Sequence, residues 1–260
     1  NETTGAFTLI GSSGVDAITG GDGTDTITGG SDADVIVGGS GNDVFRYTAT
    51  ADLFTANALV DDITGGANTD SIAINNHEKA AFNIVALDSW AARNATLEAI
   101  ITVGATDQVV SIIAHDDMHN AGITTIDLSN DTDSTATNII NLSGETGANG
   151  FTVMGSSGID TITGGTGADT IDGGTGAIAD GLTGGAGLDV FTISGGADTI
   201  SDLGVGGIND TVTVAAGATV VATVTGNWTA QTATQNLGSV AADFRVEVAG
   251  ASTVDLDLAT

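Results

Sequence analysis

Aspartates recur at a fixed interval in two stretches of the chain. Asp16, Asp25, Asp34 and Asp43 fall nine residues apart, and Asp160, Asp169, Asp180 and Asp189 form a second series with one longer step. Two positions after each stands an apolar residue: Ile18, Ile27, Ile36 and Phe45, then Ile162, Ile171, Leu182 and Phe191. Glycines hold the other fixed places: Gly20, Gly23, Gly29, Gly38 and Gly41 in the first series, and Gly164, Gly167, Gly173, Gly176, Gly184 and Gly187 in the second. A short carboxylate at the end of a glycine turn can join turn carbonyls in the all-oxygen shell that Ca²⁺ takes. Asp22 and Asp32, inside the turns, are further candidate ligands.

The units read GSSGVDAIT, GGDGTDTIT, GGSDADVIV and GGSGNDVFR from Gly11, then GSSGIDTIT, GGTGADTID, GGTGAIADGLT and GGAGLDVFT from Gly155. Paired glycines open a turn that a Cβ would obstruct. The last three residues predict a short strand whose middle side chain points inward. Stacked strands then build a parallel sheet buried on its inner side. The unit holding Asp180 carries two extra residues and is expected to bulge.

Composition agrees with an ion-dependent fold. The chain has 33 acidic residues against four basic ones. The only glutamates are Glu2, Glu78, Glu98, Glu145 and Glu247, so the excess is carried by aspartate, whose short side chain can reach an ion inside a tight turn. A formal charge of −29 opposes compaction unless cations neutralise it. It also makes nucleic acid and anionic membrane poor partners. There is no Cys and no Pro, and no run approaches the roughly 18–20 apolar residues of a membrane span. Without disulfides, metal ions are the staple available. The chain starts at Asn1 with no signal peptide ahead of it, which predicts a processed product or a fragment.

The eight units resemble the GGxGxDxUx nonapeptide of RTX calcium-binding proteins. The resemblance implies a β-roll with two nonapeptides per coil and ions between successive turns on one side. Asp16 would then share a side with Asp34, Asp25 with Asp43, Asp160 with Asp180, and Asp169 with Asp189. The tails DDITGGANTDSIAI and DTISDLGVGGINDTVTV resemble segments that close such rolls, with Asp62, Asp70, Asp198, Asp202 and Asp210 as candidates to complete the last sites. The family also implies type I export in an unfolded state and folding outside the cell. There calcium fills modules with Kd of roughly 10⁻⁴–10⁻³ M.

The expected class is all-β: a parallel β-roll or β-helix solenoid with two calcium-binding arrays, one short helix and a β-rich C-terminal part. Four segments are expected: a first roll with its closing tail over 1–76, a connecting segment with a helix over 77–122, further coils and the second roll over 123–210, and a β-rich region over 211–260. FTLIGSSGVD from Phe7 is echoed by FTVMGSSGID from Phe151, so the arrays look duplicated. ITTIDLS from Ile123 and NIINLS from Asn138 read as coils that extend the solenoid without calcium. The glycine-free, Ala-rich stretch after Ala80 predicts a helix from about Asp88 to Ile100. Strands after Thr211 could form a small sheet or sandwich, or further coils. Trp90 and Trp228 are expected in packing.

His115 and His119 stand four apart, as in zinc-protease helices. Yet Asp116 replaces the general-base Glu, Thr125 replaces a third His, and the flanks read as strands. No GxSxG elbow appears, and the glycine turns have no P-loop Lys. The expectation is therefore no enzyme. The favoured role is a secreted, cell-surface bacterial structural protein that folds on calcium and assembles with copies of itself, resembling RTX-type S-layer proteins. Cell-surface polysaccharide is a further candidate partner. The alternatives are the RTX module of an adhesin and the folding and secretion domain of a larger enzyme.

Overall fold

The computed structural model describes residues 5–55, 58–75, 82–85, 94–103, 109–115, 117–205, 210–229, 235–236, 243–248 and 254–255. One eleven-stranded parallel sheet threads them. It runs from Thr8–Ile10 through Thr26–Thr28, Val44–Tyr47, Ser71–Ile74, Ala99–Thr102, Thr125–Asp127, Thr152–Met154, Thr170–Asp172, Val190–Ile193 and Thr211–Val214 to Gln235–Asn236. In the first array the chain alternates between this sheet and a four-stranded one that holds Ala17–Asp22, Val35–Ser40, Asp62–Ala67 and Asn94–Ala95. In the second array it alternates with an eight-stranded sheet that includes Thr137–Gly144, Ile159–Thr163, Gly181–Thr183 and Ala197–Leu203.

Period-2 alternation explains why such short strands hold. In Thr26–Thr28 and Thr170–Asp172 only the middle residue is fully buried. The strands pair in register, so these middle residues stack into one column: Ile27, Phe45, Ile72, Ile100, Ile126, Val153, Ile171, Phe191 and Val212. All nine are buried. Each such side chain contributes on the order of 2 kcal/mol by leaving water. A second column, Ile140, Ile162, Leu182 and Ile200, stacks likewise in the eight-stranded sheet.

The two arrays are joined by wider coils. Phe45 pairs with Ile72, and Ile72 with Ile100, so each step spans a longer stretch of chain than the nonapeptide coils do. Here the chain visits three sheets in turn: Ser71–Ile74 in the long sheet, Phe82–Val85 in the eight-stranded one, Asn94–Ala95 in the four-stranded one, then Ala99–Thr102 back in the long sheet. The coils expected from Ile123 and Asn138 are present, with Thr125–Asp127 and Thr137–Gly144 paired to their neighbours on both sides. Of the choices open after Thr211, the described strands take the solenoid one: Thr219–Val224 and Asp243–Val248 extend the eight-stranded sheet.

The helix expected from Asp88 to Ile100 is corrected at its C-terminal end. Asn94–Ala95 and Ala99–Thr102 are strands, because Ile100 fills the apolar column between Ile72 and Ile126. Tertiary pairing overrides the Ala-rich propensity there. Residues 86–93, including Trp90, lie outside the described residues. Among the described residues, short helical turns occur at Thr50–Leu53 and Asp117–Asn120.

Candidate calcium centre

Apart from Asp16, whose carboxylate bonds Ser12 of its own turn, each array aspartate that ends a turn is buried at a corner of the coil, where one carboxylate oxygen is tied to a neighbouring coil. Asp25 Oδ1 accepts from the Phe7 N–H, Asp43 Oδ1 from the Asp25 N–H, and Asp70 Oδ1 from the Asp43 N–H, at 2.7–2.8 Å. Glu98 ends this column by accepting from the Asp70 N–H. On the other side Asp34 accepts from the Asp16 N–H and Asp61 from the Asp34 N–H. The second array repeats the pattern. Asp169, Asp189 and Asp210 take the N–H groups of Phe151, Asp169 and Asp189, while Asp180 and Asp198 take those of Asp160 and Asp180. The four pairings expected across coils are thus the ones that touch.

The second carboxylate oxygen is the telling one. Oδ2 of Asp25, Asp34, Asp43, Asp70 and Asp198 is buried with no hydrogen-bond partner. An orphaned buried carboxylate oxygen costs on the order of several kcal/mol unless a cation meets it. In Asp25, Asp34, Asp43 and Asp70 it lies against the glycine five residues upstream, a place that Ile193 takes before Asp198. A Cβ on Gly20 would strike both Asp25 Oδ2 and the Gly38 carbonyl of the next coil, and one on Gly38 would strike Asp43 Oδ2 and the Gly65 carbonyl. Gly164 stands in the same relation to Asp169 and the Gly184 carbonyl. Glycine therefore keeps open a space on which a carboxylate oxygen and a carbonyl of the neighbouring turn converge. Among the described residues no three His, Asp or Glu side chains cluster. An ion held here takes one or two carboxylate oxygens and draws the rest of its shell from turn carbonyls, a donor set suited to Ca²⁺ and to few softer metals.

The family model described as RTX calcium-binding nonapeptide repeat (4 copies) matches residues 10–45 and 143–177. Those residues, which take in the first array and the opening units of the second, are RTX repeats. Such repeats bind several calcium ions per array, and proteins that carry them are typically secreted. Comparison with curated proteins and with solved structures gives no match.

Several site residues differ from the sequence reading. Asp62 is exposed on its strand, and the buried corner position belongs to Asp61. The repeat itself carried the signal: Asp61 precedes Ile63 by two, as every RTX aspartate precedes its apolar partner, whereas Asp62 precedes Thr64. Asp22 and Asp32 are exposed and lie outside both columns. Asp32 instead serves the backbone, with φ at 69° in a turn position that Gly23 and Gly41 hold at 116° and 122°. Asn68 takes the same place with φ at 85°, so residues 65–73 form a further RTX-like unit around Asp70. Asp202 does not join the column. Both its oxygens accept turn N–H groups, those of Gly184 and Gly185.

Asn138 was missed because no repeat announces it. Its Oδ1 accepts from the Val110 N–H, and its amide donates to Asp160 Oδ1 and Ser156 Oγ. It starts the second array with a neutral group where later coils have Asp. Ser12 and Ser156, which replace a turn glycine in the two GSSG units, each give N–H and hydroxyl to Oδ2 of Asp16 and Asp160. The Ser12 bonds hold the Asp16 carboxyl below its ordinary range. Burial pushes eight column aspartates up: Asp180 and Asp189 to about 7, Asp198 to about 6, and Asp43, Asp70, Asp160, Asp169 and Asp210 in the same direction.

The two histidines do not share a helix. His115 ends the strand Val110–His115, while His119 sits in the turn Asp117–Asn120. The His119 ring hydrogen-bonds Asn149 at 2.6 Å and meets Phe151 edge-on. Trp228 is buried and donates from Nε1 to the Asp210 carbonyl at 2.8 Å.

Proposed function

We propose that the chain is an extracellular, calcium-dependent structural protein that folds where calcium is abundant and then assembles with copies of itself into a surface layer, filament or matrix. The observation that carries the reading is the set of buried aspartate columns with orphaned Oδ2 atoms in a protein of charge −29. Without cations, stacking these carboxylates in columns in a dry interior opposes folding. With calcium at millimolar concentration, ion binding adds directly to the stability of the folded coil.

Self-association is supported by the architecture as well as the charge. A solenoid of parallel strands grows along one axis, and a head-to-tail contact between such units does not close on itself. Ions remove the charge repulsion that would otherwise hold copies apart.

The test is particle size by light scattering, first in chelator and then in millimolar calcium, with electron microscopy of the product. The reading expects an expanded monomer that contracts and then grows into sheets or filaments. A compact protein that stays single at saturating calcium would overturn self-assembly and favour an adhesin or secretion module.

A further inference from the structure

Where the four-stranded sheet receives its third strand, the nonapeptide pattern breaks. Between Tyr47 and Asp61 the chain inserts the helical turn Thr50–Leu53 and the antiparallel pair Phe54–Thr55 and Ala58–Leu59 in place of a glycine turn. The residue five positions before Asp61 is Ala56, where Asp25, Asp34, Asp43 and Asp70 each have Gly. No paired-glycine turn leads into this corner.

Asp61 nevertheless occupies its place in the column. It is fully buried, and its Oδ1 accepts from the Asp34 N–H at 2.9 Å as any array aspartate would. Its Oδ2 differs from those of its four neighbours, because the buried Tyr47 hydroxyl donates to it at 2.7 Å. Tyr47 lies two positions beyond Phe45 on the same strand, so its side chain shares the inner face and can reach the corner.

We propose that Tyr47 takes the place of a calcium ion at Asp61, so that the first array closes on this side with a protein hydrogen bond and binds no ion through Asp61. The proposal rests on the reading of the orphaned Oδ2 atoms as calcium-facing. Its logic joins satisfied acceptors to a missing cradle: Asp169 also has both oxygens hydrogen-bonded but keeps the Gly164 space and the Gly184 carbonyl, whereas at Asp61 both oxygens are met and no glycine turn brings a carbonyl in for an ion. The hydroxyl therefore marks where the ion column stops on this side of the coil. Tyr47 is a positioning residue in this account, and it decides which aspartates take ions.

The experiment counts calcium per folded chain by elemental analysis after gel filtration in calcium, for wild type, Asp61→Asn, Asp34→Asn and Tyr47→Phe. Asn keeps the Oδ1 acceptor that the neighbouring N–H needs, so both Asn variants retain the coil-to-coil bond. Asp61→Asn is expected to hold as many ions as wild type, and Asp34→Asn fewer. Tyr47 is the chain's single tyrosine, so its near-ultraviolet absorption should shift in Asp61→Asn but stay unchanged in the exposed control Asp62→Asn. Tyr47→Phe should keep the wild-type count or gain one ion at the freed oxygen. A lower count in Asp61→Asn or in Tyr47→Phe would overturn the proposal. An unchanged count in Asp34→Asn would overturn the calcium columns themselves, and the replacement with them.

Discussion

The backbone N–H of Asp160 donates to Asp180 Oδ1 at 2.8 Å, although the turn before Asp180 carries two extra residues. The insertion leaves Asp180 buried, and Leu182 still pairs with Ile162. The columns of apolar and carboxylate side chains therefore set the phase of the coil, and the turn accommodates to them. Their stacking gives the substitutions below a defined direction.

Removing a column carboxylate should raise the calcium needed for folding. Asp25→Ala and Asp169→Ala each leave a neighbouring backbone N–H, of Phe7 or Phe151, without its acceptor. We expect a loss of about 1–3 kcal/mol in either variant, which moves the calcium midpoint roughly tenfold upward. Asp22→Ala, at an exposed position, should leave it in place. Circular dichroism during calcium titration reads all three.

Filling a cradle should do more harm than removing its aspartate. Gly20→Ala and Gly164→Ala place a methyl where a carboxylate and the carbonyl of the next coil already meet. Overpacking of this kind costs about 1–3 kcal/mol, and here it also shuts out the ion. Gly147→Ala, where nothing lies within 4 Å, is the control and should melt like wild type. Normal calcium midpoints in both cradle variants would refute the site.

These two sets of positions also mark what was legible beforehand. Fixed spacing announced Asp16 to Asp43 and Asp160 to Asp189, while which partners touch followed from the resemblance to RTX rolls, in which two nonapeptides make one coil. Asp61 was equally readable through its offset from Ile63, but the adjacent Asp62 obscured it. Ile100 was not readable, since its strand is imposed by Ile72 and Ile126 from distant coils against a local helical bias. Asn138 was hidden for a similar reason: its three hydrogen bonds reach residues 18 to 28 positions away.

Protonation should substitute in part for calcium. Asp180 and Asp189 titrate near 7 in the folded protein, and Asp61 and Asp198 near 6, all above the 3.8 of a free side chain. The folded state thus binds protons more tightly than the unfolded chain. Calcium-free protein should be most stable below about pH 4 and should lose that stability progressively as pH rises from about 4 to about 7. With calcium the sign reverses, because protons compete for the same oxygens, so the calcium midpoint should climb as pH falls below 7. Thermal melts at pH 5 and pH 8, with and without calcium, check both halves.

Asn138→Ala should weaken the second array more than the first. It removes acceptors or donors used by Val110, Ser156 and Asp160 at the junction with the wide coils. A cost of about 1–3 kcal/mol is expected, seen by hydrogen exchange as lost protection around Ile140 and Ile162 while Ile27 and Phe45 keep theirs. Uniform loss across both arrays would contradict a local start to the second roll.

The most direct test of the central claim is a calcium titration of the whole chain at neutral pH, followed by far-ultraviolet circular dichroism. The account predicts a largely disordered spectrum in chelator and a cooperative gain of β-structure at calcium concentrations on the order of 10⁻⁴–10⁻³ M. Identical β-rich spectra in chelator and in saturating calcium would contradict it.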